Sequence, residues 1–486
     1  MIINWINDQI KNGLTKQFFS VLLVFQMLIL FIICWYTNRL EIASFESGGD
    51  APSYLLYPFD SLKEALSSHR TFGFSLILQT YNAIFGNLKF WPVFQILSYS
   101  MSILFLFEKL LKAKITLPIA FLFSSGLIWN PSTGGSFMHA ETEVFTAIFL
   151  ILTLALIFKP IQSNKNSGIV WLSLAIFCLY QIRPNMAFII FLIPVWSFFV
   201  SQFLYIQKFK NSIYTSFKLF LFSFTPFFLF CTLRLILVGD FGVASFSGTV
   251  LSGQATSYLK DQHLQELDGE TAKLAEMILA KKKIISNPCN KIEDLTYEEQ
   301  QYCGNTHIMI SWLSANKLIY GREPYSDPRK NIEPWNFKEK NLSSFFSVNN
   351  IKQDSLLKDY SAKILNIEKD IYISRVLQKF FDAFGEYVTS LYSRLIYLIP
   401  IVLIIFSNLF FRLYIILKGI NYYNIDLNIR MKEIFIFFLI AASIMIAGVV
   451  STGILIHFDP RYLESFATFF LGALFTLIWP IKFKNV

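Results

Sequence analysis

Long apolar runs constrain this chain more than any other feature of its sequence. A helix needs about 20 consecutive apolar residues to cross the ~30 Å hydrocarbon layer of a bilayer, and such runs recur from near the N-terminus to the last residues. Hydrophobic residues make up 54% of the 486 positions and charged residues 15%, a balance that a soluble domain cannot bury. The sequence therefore predicts an α-helical polytopic membrane protein.

The apolar runs predict a bundle of about ten transmembrane helices. The predicted spans are residues 18–36, 91–107, 115–129, 140–158, 168–182, 186–206, 217–238, 395–417, 434–456 and 463–479. Pro226 and Pro400 lie inside two of these runs. In a membrane a proline kinks a helix without ending it, because neighbouring helices can satisfy the freed carbonyl groups, so both spans are retained.

The distribution of Lys and Arg predicts the orientation of the chain. If the N-terminus is cytoplasmic, basic residues crowd the inside segments, from Lys11 to Lys484, whereas the short outside turns hold only Arg183 and Arg461. Cytoplasmic loops carry this excess, so we expect a multi-pass protein of the plasma (inner) membrane with both termini in the cytoplasm. The net charge of +9 then comes largely from the basic residues that orient the chain when it inserts into the membrane. No basic stripe marks a soluble module, and no nucleic-acid partner is expected.

Two segments outside the membrane are too long to be turns. Residues 37–89 contain two candidate interfacial helices, at 52–68 and 72–85, the second apolar but too short to span. Residues 239–393 have the charge density of a water-soluble domain, with helical patterns such as 264–283. The predicted organisation is an N-terminal transmembrane module that includes the first outer loop (1–238), a mostly helical extracytoplasmic domain (239–393) and C-terminal transmembrane helices (394–486).

The cysteines separate into two groups. Cys34, Cys178 and Cys231 fall inside predicted spans, where a thiol behaves as a small hydrophobic group. Cys289 and Cys303 lie a short loop apart in the predicted outer domain. In an oxidising compartment this pair predicts a disulfide. Zinc is the weaker interpretation, because no second cysteine pair completes a four-ligand set.

Ionisable side chains gather where the predicted spans reach the outer surface. A charge held at membrane depth costs at least ~2.5 kcal/mol, so such groups usually face a cavity and a polar ligand. Each residue alone also fits a plainer role: Arg183 could anchor a helix end at the interface, and Asp50 could cap the helix that follows it. Together they predict one pocket outside the cytoplasm. The candidates are Asp50, His69, Arg70, His139, Glu141, Glu143, Arg183, His457, Asp459, Arg461 and Tyr462.

The order and sidedness of these motifs resemble the GT-C superfamily of membrane glycosyltransferases, which includes protein O-mannosyltransferases, aminoarabinose transferases and arabinofuranosyltransferases. In that family a catalytic Asp follows the first span, as in GDAPSY at residues 49–54, and a basic segment precedes the second interfacial helix, as in HRTFGF at residues 69–74. The resemblance implies a GT-C-like helix bundle. Other matching positions are Glu141 or Glu143 at the end of an early span, Arg183-Pro184 after a later span and Arg461-Tyr462 before the last.

The resemblance implies transfer of a sugar from a polyprenyl-phosphate donor to a hydroxyl of a lipid, glycan or protein acceptor outside the cytoplasm. Phosphate is a good leaving group, so the reaction needs one carboxylate to take the acceptor proton and cations to hold the developing charge. Asp50 is the expected base, and a single displacement inverts the anomeric centre. The expected phosphate and substrate partners are His69, Arg70, His139, Arg183, His457, Asp459, Arg461 and Tyr462.

The acidic residues of the fourth predicted span leave a choice of roles. Glu141 or Glu143 is expected to orient the acceptor, or to hold a divalent metal ion together with Asp50. His139 and Glu143 are four positions apart, which on a helix would place both on one face and could add a ligand. The sequence leaves the metal requirement open.

Two other functions fit a polytopic protein. A polysaccharide polymerase or ligase acting on lipid-linked glycans would also use outer loops, and it would depend on basic residues rather than on Asp50. A lipid or solute transporter would place ionisable residues near the bilayer midplane and usually shows repeated halves. Arg234 is the one charge in the middle of a predicted span, and the sequence shows no internal repeat. The glycosyltransferase is the preferred hypothesis.

Overall fold

The computed structural model describes residues 2–38, 51–130, 137–163, 166–284, 297–321, 351–376, 427–455 and 466–477, together with Leu40 and Gln378. Every regular element in these ranges is helical, and no strand occurs among them. Two 3₁₀ helices, Pro184–Phe188 and Asp261–Glu266, accompany the α-helices that are numbered here. The helices are α1 (Ile2–Tyr36), α2 (Ala51–Leu55), α3 (Leu62–Ser67), α4 (Phe72–Phe85), α5 (Trp91–Lys112), α6 (Leu117–Ile128), α7 (Glu143–Ser163), α8 (Asn166–Ile182), α9 (Ile189–Phe203), α10 (Phe209–Val238), α11 (Ser247–Tyr258), α12 (Gly269–Ile284), α13 (Tyr297–Tyr320), α14 (Ile351–Ile367), α15 (Leu427–Leu455) and α16 (Phe470–Leu477).

Within the described ranges, six helices are long and apolar enough to cross a membrane. They cover Lys16–Tyr36, Trp91–Lys112, Glu143–Gln162, Pro184–Phe203, Phe209–Val238 and Met431–Gly448. Each overlaps a predicted span, which confirms the multi-pass helical character of the chain. The spans predicted at 115–129 and 168–182 correspond to shorter apolar helices. The span at 395–417 lies outside the described residues and that at 463–479 is described only in part, so the count of about ten stays a prediction.

The membrane helices share one continuous hydrophobic core. Helix α5 packs on α6 and α7, α7 on α8, and α10 on α8 and α9, while α15 contacts α9 and α16 contacts α6. Polar side chains tie α1 to α6 inside this core: Gln26 Nε2 donates to Ser125 Oγ at 3.2 Å, and Trp129 Nε1 donates to Gln26 Oε1 at 3.0 Å. Hydrogen bonds of this kind help helices associate where lipid provides no hydrophobic driving force.

Helices α6 and α16 approach each other closely at a pair of glycines. A Cβ on Gly126 would lie 2.5 Å from the Cα of Gly472, and one on Gly472 would lie 2.8 Å from the carbonyl oxygen of Phe123. Small residues let helix backbones pack this tightly in membranes. Helix α6 is buried along nearly its whole length, so it lies inside the bundle and not against lipid.

The two ends of the bundle carry different chemistry. At the end predicted to be cytoplasmic, Glu433 accepts hydrogen bonds from the N–H of Thr116 at 3.0 Å and from its hydroxyl at 2.7 Å. Gln207 Nε2 donates to the carbonyl of Ile161 at 3.0 Å. These contacts join segments that the predicted topology puts on one side. The opposite end, where α5 and α7 begin and α8 and α10 finish, is called the site end below.

The first outer loop contains a break that the sequence analysis missed. The helix predicted over residues 52–68 is wrong, because α2 ends at Leu55 and α3 begins at Leu62. Pro58 explains the interruption, since proline lacks an N–H and disfavours a helical conformation in the residue before it. The helix predicted over 72–85 is confirmed as α4.

Helices α11 to α14 pack around a second hydrophobic core. Helix α11 lies at its centre, contacts α13 and α14, and has nearly all of its residues buried. Its N-terminus is capped from another helix: Asp354 Oδ1 accepts from the N–H of Gly248 at 2.7 Å and of Thr249 at 3.1 Å, as an N-cap side chain would do locally. The pattern at 264–283 is the end of a 3₁₀ helix up to Glu266 and an α-helix from Gly269 onwards.

Candidate functional site

The candidate site residues that the structure describes all belong to the site end, but several candidates lie outside the described residues. Phe466 packs on Phe188 with ring centroids 5.9 Å apart, and Asn130 Nδ2 donates to the carbonyl of Thr468 at 3.3 Å. The described segment that resumes after position 465 therefore starts at this end. The candidates outside the described residues are Asp50, His457, Asp459, Arg461, Tyr462 and Cys289.

Arg70 is held by α2 and by a ring of the outer domain. Its Nε donates to Ser53 Oγ at 3.1 Å and its Nη1 to the hydroxyl of Tyr54 at 3.3 Å. The guanidinium also lies 4.9 Å from the centroid of the Tyr54 ring and 5.7 Å from that of Phe246, where the ring quadrupole attracts a cation. Arg70 is thus fixed beside α2, the helix that follows Asp50 in the sequence.

His69 is buried next to this arginine. It is 5% exposed, and its ring centroid lies 5.5 Å from that of Phe246. Burial lowers the pKa of His69 well below its ordinary value of 6.5, and the charge of Arg70 lowers it further. The imidazole is therefore neutral near pH 7, which removes a cationic role towards phosphate but leaves a hydrogen-bonding one.

An aromatic cluster joins the first outer loop to the membrane helices. The ring of Phe74 in α4 lies 4.8 Å from that of Tyr54, 6.1 Å from that of Trp91 and 5.9 Å from that of Phe145. Trp91 also stacks on Phe145 at 5.6 Å. Ring pairs at these distances prefer defined geometries. The cluster thereby connects α2 to the first turn of α7.

Glu143 and Arg183 form an ion pair between the outer ends of α7 and α8. Arg183 Nη1 lies 3.4 Å from Glu143 Oε1, and the two side chains are only 6% and 11% exposed. Glu143 lies in the first turn of α7, where the helix dipole stabilises an anion. Its other oxygen, Oε2, is buried without a hydrogen-bond partner among the described residues.

The relation predicted between His139 and Glu143 is wrong. Helix α7 begins at Glu143, and the residues before it form turns and bends, so a spacing of four does not put both side chains on one helical face. His139 is exposed, and its carbonyl accepts from Gln95 Nε2 at 3.3 Å; Glu141 is half-buried in the same turn. In the described part of the chain, no group of three His, Cys, Asp or Glu residues is placed to hold a metal ion.

Several buried polar side chains at the site end were not identified from the sequence. Gln181 is 1% exposed, and neither its amide oxygen nor its nitrogen has a partner in the described ranges. Buried polar groups are nearly always paired, and an unpaired one costs about 1–3 kcal/mol. These groups therefore require a polar partner, such as water or a ligand hydroxyl. Similar atoms are Ser75 Oγ, Trp91 Nε1, Gln95 Oε1 and Asn185 Oδ1.

Gly73 lets α4 lie directly against the end of α8. A Cβ at Gly73 would lie 2.7 Å from the carbonyl carbon of Gln181 and 2.9 Å from its Cβ. Any larger residue would push the two helices apart. The only sequence signal for Gln181 was an amide at the end of an apolar run, two positions before Arg183, and that signal has many ordinary explanations.

Arg234 does not lie at the middle of a span, as the sequence analysis placed it. It belongs to the last turn of α10, which ends at Val238, and is 1% exposed. Its guanidinium donates hydrogen bonds to the first outer loop and to residues 240–245. This position and these partners argue against a transporter-type midplane site.

A groove between α8 and α10 is open on the outside of the bundle. Its volume is ≈ 420 Å³, and its lining includes Val170, Leu174, Phe177 and Pro226. Val170 and Leu174 are exposed on the outside of the bundle. At its upper end, Phe177 contacts Phe72 with ring centroids 6.1 Å apart, so the groove leads to the segment that carries Arg70.

Cys303 is buried on α13 and disulfide-bonded. Its predicted partner, Cys289, lies outside the described residues, so the pairing stays a prediction. Cys34, Cys178 and Cys231 are free thiols within α1, α8 and α10.

Comparison with known proteins gave no match to a family model, a curated protein or a solved structure. The resemblance to the GT-C superfamily therefore rests on the residue motifs alone. The function follows as a proposal from those motifs and from the geometry of the site end.

Proposed function

We propose that this protein is an inverting glycosyltransferase that moves a sugar from a polyprenyl-phosphate donor to an acceptor hydroxyl outside the cytoplasm. One observation supports this most. Arg70 and the Glu143–Arg183 pair come from distant parts of the chain, and both lie beside the same aromatic cluster at one end of the bundle. Asp50 is the general base, one residue before the helix that holds Arg70.

Two arginines at the site end, Arg70 and Arg183, are candidate partners for the donor phosphate. Arg183 is paired with Glu143 at 3.4 Å, so the carboxylate offsets most of its positive charge. Arg70 donates to Ser53 and Tyr54, which hold it beside the helix that follows Asp50 in the sequence. Its fork suits phosphate oxygens, and this position next to the proposed base makes it the first candidate for the phosphate. Arg461 stays a candidate outside the described residues.

Glu143 and Gln181 suit the hydroxyl groups of a sugar or an acceptor. Glu143 Oε2 is an acceptor without a partner in the described ranges, and the Gln181 amide offers both a donor and an acceptor. Hydroxyl groups supply the complementary donors and acceptors. In this proposal Arg183 orients Glu143, which leaves Oε2 for the substrate.

The groove between α8 and α10 suits the lipid tail of the donor. Each buried CH₂ group is worth ~0.8 kcal/mol, so a long prenyl chain stays in the bilayer while its phosphate reacts. The groove is open to lipid and leads through Phe177 and Phe72 towards Arg70. A tail lying along α8 would bring its phosphate to the site end.

The decisive experiment compares Asp50→Asn with Asp60→Asn in purified, detergent-solubilised protein. Asp60 is an exposed carboxylate of the same outer loop, so it is a matched control. We expect Asp50→Asn to fold normally and lose transfer of sugar from a polyprenyl-phosphate donor, because the amide cannot take a proton, and Asp60→Asn to retain transfer. Wild-type turnover in Asp50→Asn, combined with loss in Arg70→Gln, would instead favour the polymerase or ligase.

A further inference from the structure

Arg234 lies at the junction of the membrane bundle, the first outer loop and the outer domain. Its Nε donates to the carbonyl of Leu66 at 3.0 Å, and its Nη1 to the carbonyl of Gly242 at 2.5 Å. Its Nη2 donates to Asp240 Oδ2 at 3.0 Å and to Ser245 Oγ at 2.6 Å. One buried side chain on α10 thus bonds to α3 on one side and to the beginning of the outer domain on the other.

The junction continues into the helices of the outer domain through a chain of charges. Asp240 Oδ1 lies 3.8 Å from Lys358 Nζ, which lies 2.9 Å from Asp354 Oδ2. Asp354 Oδ1 in turn accepts the N–H groups of Gly248 and Thr249. The N-terminus of α11 is therefore linked to Arg234 by consecutive ionic and hydrogen-bonded contacts.

Phe246 extends the junction to the site. It follows Ser245, whose hydroxyl is bonded to both Arg234 and Asp240. Its ring lies 5.5 Å from the ring of His69 and 5.7 Å from the guanidinium carbon of Arg70. The outer domain thus supplies one of the two rings against which Arg70 lies.

We propose that Arg234 and Phe246 are positioning residues that couple the docking of the outer domain to the placement of Arg70. Undocking would leave the buried charge of Arg234 without its partners, which is strongly unfavourable, so the domain and the first outer loop move together. The coupling stands on these contacts; only the identity of the ligand of Arg70 rests on the proposed function.

Hydrogen exchange of the purified protein tests the coupling without any substrate. The variants are Arg234→Gln and Phe246→Leu, and the control is Arg375→Gln, whose guanidinium lies 5.2 Å from the ring of Tyr258 within the outer domain. We expect amide exchange over residues 66–74 to accelerate on the order of tenfold in both variants, since loss of the contacts favours local opening, and to stay unchanged in the control. Unchanged exchange over 66–74 in folded Phe246→Leu would overturn the proposal, even if Arg234→Gln does not fold.

Binding of polyprenyl phosphate tests the consequence for the site. In Phe246→Leu we expect the Kd for polyprenyl phosphate to rise about tenfold, equivalent to about 1.4 kcal/mol. In Phe246→Tyr, which keeps the ring, the Kd should return towards the wild-type value. In Arg375→Gln it should stay constant. An unchanged Kd in Phe246→Leu would contradict the positioning role. If the wild-type protein binds no polyprenyl phosphate, the proposed function fails while the exchange measurement still decides the coupling.

Discussion

At the scale of single residues, the charges of Glu143 and Arg183 stabilise each other, because both side chains are almost fully buried. Removing one partner of such a pair leaves the other charge unpaired, whereas removing both can be nearly neutral. The pair could therefore stabilise the site end, prepare Glu143 for a ligand, or do both. A mutant cycle separates these contributions.

We predict that Arg183→Gln lowers the free energy of unfolding by ~3 kcal/mol and that Glu143→Gln/Arg183→Gln regains a large part of this loss. Thermal unfolding of the detergent-purified variants measures both effects. Losses that simply add in the double variant would show that the two side chains do not interact. Transfer activity should remain low in the double variant even where stability returns, because Glu143 Oε2 is then lost as a carboxylate acceptor.

His69 predicts a dependence of stability on pH. Its pKa in the folded protein is well below the value of 6.5 in an unfolded chain, so between these values the unfolded chain binds a proton that the folded chain does not. Stability must therefore fall as pH drops below 6.5. The loss grows as the pH falls further, until the folded protein also binds the proton.

The His69→Gln variant should lose this part of the pH dependence. Burial and the charge of Lys282 also lower the pKa of His307 in the outer domain, to about 3, so the wild-type protein carries a second contribution of the same sign. Unfolding curves at pH 5.5 and 8 for both proteins isolate the effect of His69 as a difference. Identical pH dependence in the two proteins would mean that the pKa of His69 is the same in the folded and the unfolded chain.

At the scale of helices, the contact between α6 and α16 makes Gly126 indispensable. Its Cβ position is 2.5 Å from the Cα of Gly472, so Gly126→Ala should separate the helices and destabilise the protein by about 1–3 kcal/mol. Gly168→Ala is the control, because there the nearest atom is Pro160 Cδ at 3.2 Å. Thermal unfolding should give Gly126→Ala a lower melting temperature than Gly168→Ala and the wild type. Equal melting temperatures of the two variants would contradict the close contact between α6 and α16.

Helix boundaries show which local signals were sufficient. Helix α4 was predicted with its observed bounds, because an apolar run ends at Gly86, which adopts a φ of 71° that favours glycine. The break between α2 and α3 was not predicted, although Pro58 lacks an N–H and disfavours a helical conformation in the residue before it. Local chemistry therefore predicts a helix end best where one residue has a conformation that few others adopt.

At the scale of the whole molecule, the disulfide of the outer domain is the simplest global test. We predict that unreduced peptides from protein made in an oxidising compartment link Cys289 to Cys303, as mass spectrometry would show. Cys303→Ser should destabilise the protein by about 3 kcal/mol, because a bridge across a loop of this length restricts the unfolded chain. Two free thiols at these positions would contradict the predicted pairing, whereas Cys178→Ser should have little effect on stability.

The sequence by itself determined the membrane character, the positions of the long helices and the separation of basic loops from the loops that carry Arg70, Glu143 and Arg183. Each of these properties is local. Apolar length decides whether a helix spans, and the sign of the flanking charges decides on which side a loop remains. A reader of the sequence alone can therefore place residues at one end of the bundle without knowing any contact between them.

Only the tertiary structure decided which of these residues meet. The pairing of Glu143 with Arg183, the enclosure of Gln181 behind Gly73 and the bonding of Arg234 to both α3 and the outer domain join residues that are far apart in the chain. The physical reason is that partners, burial and local dielectric depend on how helices pack, and periodicity along one helix carries no information about its neighbours. A charge that could be an interfacial anchor in the sequence is, after packing, part of an ion pair or of a structural junction.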